Sequence, residues 1–347
     1  MSSPAMTGNA HSAKIVVAQP IEPETLARLQ RCASTRMNQG PEPLTGQALA
    51  AECLQAQALM AFMTERIDDA FLAQCPHLKI VAGALKGFDN IDVDACTRRG
   101  IAVTIVPDLL TDPTAELAIA LMINVARHVR PADQHVRSGQ FSGWRPTFFG
   151  QTIQGATIGV VGAGCVGQAI LKMLSGFRCE RLYYDVQTLP AETETALDAR
   201  FSSLADLQAQ ADFTVLALPL TPTTFGLVDT QFIANMKAGS YLINPARGSL
   251  VLESAVADAL DSGHLAGYGA DVYECEDWAQ ANRPSAIEPR LLRADNTVLT
   301  PHIGSAVTSV RRAIVASAAD SIISLLGGTM PQAAVNRDDL TGRRDDH

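Results

Sequence analysis

Short apolar runs alternate with amphipathic stretches along the first hundred residues. Runs rich in β-branched residues have the length and composition of buried strands, and the stretches between them show a helical spacing of apolar positions. The predicted strands are KIVVAQP (14–20), ALMAFM (58–63), HLKIVAGAL (77–85) and IAVTIVP (101–107), and the predicted helices span 23–32, 46–55, 68–74 and 93–99. This alternation predicts a parallel, doubly wound sheet.

A second series of the same kind begins near residue 156. The predicted strands are ATIGVVGAG (156–164), RLYYD (181–185), FTVLAL (213–218), SYLINP (240–245), LAGYGADV (265–272) and TVLTP (297–301). Helical patterns at 166–174, 204–209 and 252–261 separate several of them. The chain is therefore predicted to be an α/β protein with two doubly wound parallel-sheet domains, the first of them flavodoxin-like.

Three further stretches organise these two domains. Residues 114–129 are apolar almost all round, which predicts a helix buried on every side at a domain or subunit interface. Residues 137–150 (RSGQFSGWRPTFFG) are rich in glycine and aromatic residues and suggest a docking arm. A helical pattern at 306–326 is expected to fold back onto the first domain. We expect a discontinuous first domain (12–108 and 303–336), a second domain (109–302) and flexible tails (1–11 and 337–347).

Composition and charge narrow the class of protein. Hydrophobic residues make up 47% of the chain and charged residues 18%, which indicates a globular protein with a large core. The net charge of −9 argues against a nucleic-acid or polyanionic membrane partner, because clustered Lys and Arg hold such partners.

Cysteine usage and the N-terminus indicate the compartment. The seven cysteines are scattered without a CxxC pair, which predicts reduced thiols and no metal site. The first residues have neither a basic start nor a continuous apolar stretch, so no signal peptide is expected. We find no run of about 18 apolar residues and expect a cytoplasmic protein without a membrane span.

A glycine-rich turn predicts a nucleotide site. Gly162, Gly164 and Gly167, with Cys165 and Val166 between the last two, form a G-x-G-x-x-G that follows a strand and opens a helix. Asp185 ends the next strand, 18 residues after Gly167. All three conditions of the dinucleotide fingerprint are met, although a glycine turn in an unrelated α/β protein is the alternative. A carboxylate there repels a 2′-phosphate, so NAD is favoured over NADP.

Three polar residues follow three predicted strands. Arg247, Glu276 and His302 lie 29 and 26 residues apart, and the carboxyl ends of parallel strands line one crevice. An arginine fork holds an oxyanion, and a histidine moves protons near neutral pH. A carboxylate on the second ring nitrogen would fix the histidine tautomer. Each residue alone would be interpreted as a surface or capping residue, but together they predict a catalytic set.

Four blocks resemble a known family. GAGCVG (162–167), ARGS (246–249), DVYECE (271–276) and PHIGS (301–305) are similar to the signatures of the D-isomer-specific 2-hydroxyacid dehydrogenases, over about residues 50–335. The resemblance implies that Arg247 orients the substrate, His302 is the acid/base and Glu276 supports it. It also implies a homodimer with a split substrate domain. Further residues are expected to line the NAD site: Thr114, Pro219, Pro245, Ala246 and Asp271.

Within this family, several segments resemble the members that oxidise phosphite: 58–63, 84–100, 106–119, 137–146 and 274–284. Lys86 stands where hydroxyacid-specific members usually have a small or neutral residue. Those members also usually have a proline close to the position that Trp278 occupies in this chain. Two cations, Lys86 and Arg247, suit a doubly charged oxyanion, although a solvated surface lysine is the common alternative.

The same resemblance implies further substrate contacts. Gly87 and Met63 are expected to border the substrate, and Trp144 is expected to reach it from a partner subunit. Phe149 stands where the better-known phosphite-oxidising members have tyrosine.

Three functions remain open. The first is NAD-dependent oxidation of phosphite to phosphate. The second is a D-2-hydroxyacid dehydrogenase or glyoxylate/hydroxypyruvate reductase, which Lys86 and the Trp278 segment distinguish from the first. The third is an NADH-sensing binding protein of the same fold, for which no recognition segment is evident.

Overall fold

The computed structural model describes residues 13–40, 42–44, 46–106, 108–277, 280 and 282–342. It divides into two compact units. Unit 1 comprises Met1–Leu109 with Thr308–His347, and unit 2 comprises Leu110–Val307. Elements are numbered through the whole chain.

Unit 1 is built on a five-stranded parallel sheet. Its strands are β1 (Lys14–Val17), β2 (Ser34–Met37), β3 (Ala58–Ala61), β4 (Ile80–Gly83) and β5 (Ala102–Thr104), in the order β2-β1-β3-β4-β5. This is the flavodoxin-like order. The helices are α1 (Pro23–Cys32), α2 (Gly46–Cys53), α3 (Asp69–Ala73), α4 (Val93–Arg98), α13 (Thr308–Leu326) and α14 (Arg337–Thr341).

The C-terminal part of unit 1 is anchored in the core. Helix α13 packs against α1 and against strands β3 and β4. After it, Asn336 is buried and donates hydrogen bonds to the Thr97 hydroxyl and to the Ile101 carbonyl. The sequence analysis expected a flexible tail from residue 337, but residues 337–341 form helix α14. Residues 1–11 and 343–347 lie outside the described residues.

Unit 2 is built on a seven-stranded parallel sheet. Its strands are β6 (Thr157–Val161), β7 (Glu180–Tyr184), β8 (Arg200–Phe201), β9 (Phe213–Leu216), β10 (Ser240–Asn244), β11 (Leu265–Ala270) and β12 (Thr297–Leu299). The order β12-β11-β10-β9-β6-β7-β8 reverses direction beside β6, where a dinucleotide crevice is expected. Together the two sheets confirm the predicted α/β class with two doubly wound parallel-sheet domains.

The helices of unit 2 cover both faces of this sheet, as the parallel topology requires. They are α5 (Thr111–Ala126), α6 (Val129–Arg137), α7 (Cys165–Met173), α8 (Ala191–Leu197), α9 (Leu204–Gln210), α10 (Thr230–Asn235), α11 (Glu253–Asp261) and α12 (Pro289–Arg293). Two single turns of 3₁₀-helix, Gly248–Leu250 and Glu274–Glu276, follow β10 and β11.

Helix α5 differs from its sequence-based description. It ends at Ala126, because His128 adopts a left-handed backbone conformation (φ 51°) that separates it from α6. Its buried residues include Ala115, Ala118 and Met122, which share the face that packs against α7, β10 and β11. Glu116 is exposed on another face, so the helix is not buried on every side within a single chain, and the expected subunit interface stays a prediction.

The length and composition of α5 are also relevant to whether the chain could cross a membrane. Among the described residues, the segment Asp108–Ala126 is long and apolar enough to cross a membrane by length and composition, with a mean hydropathy of 1.3. The segment contains Asp108, Asp112 and Glu116, so it is not the continuous apolar run that the sequence analysis looked for. A core helix passes the same test, and the buried face of α5 belongs to the hydrophobic core of unit 2.

Candidate active site

The glycine turn after β6 has the geometry that phosphate binding requires. Gly162 has a φ of 101°, and a Cβ there would lie 2.6 Å from the carbonyl oxygen of Ala217 after β9. A Cβ on Gly167 would lie 2.0 Å from the Gly162 carbonyl oxygen. A Cβ on Gly164 would meet no atom within 4 Å, so this backbone faces open space. Helix α7 begins at Cys165 and directs its positive end at that space.

Asp185 is held beside this turn. It follows β7, and its Oδ2 accepts a hydrogen bond of 2.7 Å from the Ala163 N–H inside the glycine turn. Its Oδ1 accepts a bond of the same length from the N–H of Val186, whose side chain is exposed. The carboxylate is therefore oriented before any nucleotide binds, as discrimination between ribose hydroxyls and a 2′-phosphate requires.

The other residues expected at the NAD site all lie in unit 2. Pro219 is exposed after β9, and Pro245 is buried directly after β10, next to half-buried Ala246. Thr114 lies in the first turns of α5, and its hydroxyl donates to the Leu110 carbonyl at 2.7 Å.

His302 and Glu276 form the central pair of the site. His302 Nδ1 lies 3.2 Å from Glu276 Oε2, and both side chains are about 30% exposed. Glu276 Oε1 accepts a bond of 3.1 Å from the Tyr273 N–H, which holds the carboxylate in place. An ionised carboxylate can only accept, so Nδ1 carries the proton in this pair. The other ring nitrogen, Nε2, is left to exchange a proton with a substrate.

Asp271 holds the loop that carries His302. The hydroxyl of Thr300 (2.6 Å) and the N–H of Ile303 (2.8 Å) donate to Oδ1, and the Gly304 N–H (2.8 Å) donates to Oδ2. These bonds support His302 in a left-handed backbone conformation (φ 54°) that costs free energy in a residue with a side chain. The buried position of Asp271 raises the pKa of its carboxyl group. The sequence analysis expected this residue only at the cofactor.

Arg247 lies in a turn that Asn244 supports. The amide of buried Asn244 donates to the Arg247 carbonyl at 2.8 Å and accepts from the Ala246 N–H at 3.1 Å. The next residue, Gly248, packs directly on the following loop, because a Cβ there would lie 1.9 Å from the carbonyl carbon of Tyr273. The loops that carry Arg247 and Glu276 are therefore in contact.

Three carboxylates join the same two loops, and two of them, Asp277 and Glu253, are buried. Asp277 Oδ2 accepts a bond of 2.6 Å from the Ser249 N–H. Glu253 Oε1 accepts from the Glu274 N–H (2.9 Å), and Glu274 Oε2 accepts from the Glu253 N–H (3.1 Å). Burial raises the pKa of both glutamates. Sequence reasoning missed these anchors, since an acidic residue at the start of a helix is common.

Two predicted substrate contacts, Lys86 and Met63, lie in unit 1. Lys86 follows β4 by three residues, is partly buried and forms an ion pair with Asp108. Gly87 is the next residue, and Met63 lies two residues after β3 and is half-buried. The convergence of Lys86 with Arg247 stays a prediction.

Trp144 lies in unit 2, in the segment between α6 and β6. Its side chain is 78% exposed, and that of Phe149 is 77% exposed. The segment has no regular secondary structure, which suits a docking arm. Trp278, which the sequence analysis used to separate substrates, lies outside the described residues.

No group of three His, Cys, Asp or Glu side chains that could hold a metal ion occurs within the described part of the chain. The arrangement in unit 2 instead combines a cation, an imidazole–carboxylate pair and a phosphate-binding turn on one sheet. Such a set can bind an anion, exchange a proton and hold a dinucleotide.

Comparison with known families decides what kind of protein this is. Residues 119–304 match the model of the D-isomer specific 2-hydroxyacid dehydrogenase NAD-binding domain, and the matched segment contains the glycine turn, Arg247, Glu276 and His302. The chain belongs to the D-isomer specific 2-hydroxyacid dehydrogenase family. It is an NAD-dependent oxidoreductase, and the glycine turn and Asp185 fit that cofactor.

Members of this family with described activities include close relatives of the chain. A glyoxylate reductase of Pyrococcus horikoshii is 41% identical over 295 residues, which cover 84% of this chain and 86% of that protein. A solved structure from Polaromonas, described as a D-isomer specific 2-hydroxyacid dehydrogenase, is 32% identical. It has a TM-score of 0.84 and covers 93% of this chain and 99% of that one.

A third member of the family is relevant to the cofactor. An NADPH-dependent glyoxylate/hydroxypyruvate reductase from Sinorhizobium meliloti, solved with NADP and malonate, is 26% identical with a TM-score of 0.80. The match covers 94% of this chain and 97% of that one. A protein of this fold can therefore use NADPH, and the choice of dinucleotide depends on the residues at the ribose site.

Proposed function

We propose that the chain is a D-2-hydroxyacid dehydrogenase of the glyoxylate reductase type, which exchanges hydride between NAD(H) and a small 2-oxo acid or 2-hydroxy acid. The observation that carries this proposal is the His302–Glu276 pair, beside a loop that holds Arg247. The names of the relatives, glyoxylate reductase among them, support this substrate class.

Each catalytic residue has one task in this reaction. The Arg247 guanidinium binds the substrate carboxylate through its planar fork. His302 Nε2 donates a proton to the carbonyl oxygen during reduction and accepts it from the hydroxyl during oxidation. Glu276 keeps the imidazole in the tautomer that this transfer requires. The nicotinamide ring of NAD, when bound, accepts or supplies the hydride.

The NAD itself would be held by the glycine turn and by Asp185. The backbone of Gly162, Gly164 and Gly167 and the start of α7 suit a pyrophosphate, and Asp185 suits the adenosine ribose. Further contacts are assigned to residues in the first turns of α5 and α7 and shortly after strands of the sheet: Thr114, Cys165, Val166, Pro219, Pro245, Ala246 and Asp271.

Phosphite oxidation is the second candidate, and Lys86 favours it. This lysine is a partly buried cation shortly after β4 of unit 1, and a cation attracts a doubly charged oxyanion more strongly than a monocarboxylate. In this reaction phosphite, NAD⁺ and water give phosphate, NADH and a proton. Phosphorus gains a bond to the water oxygen and loses its hydrogen as hydride, while His302 takes the proton from water.

A substrate panel separates these functions. Purified protein is assayed for NADH formation with phosphite, D-glycerate and D-lactate, and for NADH consumption with glyoxylate and hydroxypyruvate. Turnover of glyoxylate or hydroxypyruvate but not phosphite supports the first proposal, and the reverse result assigns phosphite. Lys86→Ala should weaken phosphite use roughly 10–150-fold, the worth of a charge-assisted bond. Binding of NADH without turnover of any anion would indicate a sensor and refute both.

The chain is further proposed to act as a homodimer, with the arm around Trp144 docked on a second copy. Exposed apolar side chains concentrate on this arm and on the preceding helix: Val129, Val136, Phe141, Trp144 and Phe149. Clusters of this kind mark interfaces. Light scattering at micromolar concentration should give twice the chain mass, and Trp144→Ala should lower activity. A fully active monomer would refute the proposal.

A further inference from the structure

The loop after β3 contains a fully buried carboxyl group. Glu65 is 0% exposed, and it forms no ion pair among the residues that the structure describes. Its Oε2 accepts from the Phe62 N–H, and its Oε1 accepts from the Thr64 hydroxyl at 2.6 Å. That hydroxyl in turn accepts a bond of 2.7 Å from the Gln19 amide after β1. The carboxyl group thus closes the loop that carries Met63.

A second buried side chain holds this loop from the neighbouring strand end. Asn90 is 4% exposed, and its amide donates to the Phe62 carbonyl at 2.9 Å and to the Glu65 carbonyl at 2.7 Å. One side chain therefore grips the chain on both sides of Met63. Asn90 follows Lys86 by four residues, so the two loops expected to contact the substrate are joined by direct bonds.

The burial of Glu65 costs free energy of folding. Burying a carboxyl group without a cation is unfavourable, and burial raises the pKa of Glu65 accordingly. The hydrogen bonds partly offset this cost by satisfying the irregular backbone between β3 and α3. Costly buried ionisable groups of this kind concentrate at functional sites.

We propose that Glu65 and Asn90 are positioning residues, which hold the Met63 loop against the Lys86 loop and thereby determine how tightly the anionic substrate is bound. The proposal rests on the proposed function with either candidate anion, and it takes Met63 and Lys86 as contacts of that anion, as the family resemblance implies. Neither loop carries the proton-transfer pair, which belongs to unit 2. A loosened loop should therefore weaken substrate binding and leave the chemical step largely intact.

The test uses whichever anion the wild-type protein turns over. Glu65→Ala and Asn90→Ala should each raise the KM for that anion about tenfold, within the roughly 5–150-fold range for an unpaired buried polar group. The kcat and the KM for NAD should stay within about twofold. Glu65→Gln keeps the size and an acceptor, so it should restore most of the affinity. Glu24→Ala, on the exposed face of α1, is the matched control and should change nothing.

The double variant sharpens the result. Because both side chains hold one loop, Glu65→Ala with Asn90→Ala should raise KM by less than the product of the single effects. If either alanine variant fails to fold, Asn90→Asp serves instead, since it keeps the size and loses both donors; its KM should also rise.

The outcomes are distinguishable. A wild-type KM in Asn90→Asp or in both alanine variants overturns the inference and leaves the proposed function standing. A fall in kcat with an unchanged KM also overturns it, because the residues would then act on the chemical step. A wild-type protein that turns over no anion in the panel refutes the proposed function, and the inference falls with it.

Discussion

The glycine turn at 162–167 and the three loops that carry Arg247, Glu276 and His302 lie on the same sheet but are built in opposite ways. The turn is one contiguous segment, and its geometry depends on side chains that are absent. The catalytic loops come from three strands, and their geometry depends on buried side chains that hold backbone N–H groups. Substitutions that add atoms to the glycines should therefore disrupt the turn, whereas substitutions that remove hydrogen-bond acceptors should disrupt the loops.

The largest effect is expected from the proton-transfer group itself. His302→Asn keeps the approximate shape and removes the acid/base, so kcat should fall by roughly 10²–10⁴-fold. NAD affinity, measured by fluorescence titration, should not change, because the glycine turn is independent of this loop. His77→Asn, an exposed histidine of unit 1, is the control. Near wild-type turnover would assign the proton to another residue.

The next effect tests discrimination beside the turn. Asp185→Ala with Val186→Arg removes the carboxylate and adds a cation, so the preference for NAD over NADP should shift by roughly 10–150-fold. Steady-state kinetics with both cofactors measure this ratio. An unchanged ratio would show that Asp185 does not select the ribose.

Weakening the anchor of the His302 loop should have an effect nearly as large as the change at Asp185. Asp271→Asn replaces one acceptor oxygen by a donor, so an N–H of the His302 loop loses its partner. We expect kcat to fall roughly tenfold, from an unpaired buried group worth about 1–3 kcal/mol. Asp261→Asn, at the exposed end of α11, is the control. If kcat of Asp271→Asn equals that of the control, the loop does not depend on this carboxylate.

Two glycines of the turn provide a matched pair. Gly167→Ala places a methyl group 2.0 Å from a carbonyl oxygen, so the free energy of unfolding should fall by about 1–3 kcal/mol. Gly164→Ala meets open space, so its stability should stay near that of the wild type while NAD affinity falls. Urea denaturation and NAD titration separate the two effects. Equal loss of stability in both variants would contradict this account of the turn.

The smallest effect concerns pH. Burial raises the pKa of Glu253, so folding favours its protonated form. This group contributes its full stabilisation at pH values below the ordinary glutamate pKa. The contribution is lost as the pH rises through the raised pKa of the folded state. The free energy of unfolding of the wild type minus that of Glu253→Gln should therefore be greatest near pH 4 and should fall towards pH 7. Urea denaturation at several pH values measures the difference, and a constant difference would contradict it.

The elements that were recognised from the sequence differ in their burial from those that were missed. Buried strands such as β4 and β6 were recognised because continuous apolar runs reflect burial on both faces. Strands β2 and β8 were missed, because an edge strand such as Ser34–Met37 is partly exposed and polar. The 3.6-residue period of α5 was hidden by half-buried apolar residues such as Leu117, so its exposed face could not be recognised from composition.

The sequence by itself determined the α/β class, the glycine turn with Asp185, and the strand ends that carry Arg247, Glu276 and His302. These features are local, because each depends on a periodic pattern or on the space that a glycine leaves. Only the tertiary structure decided which side chains hold the site together. Asp271, Glu253, Glu65 and Asn90 bind backbone atoms of segments that are distant in the chain or irregular, and no pattern in the sequence distinguishes such an acceptor from a solvated one.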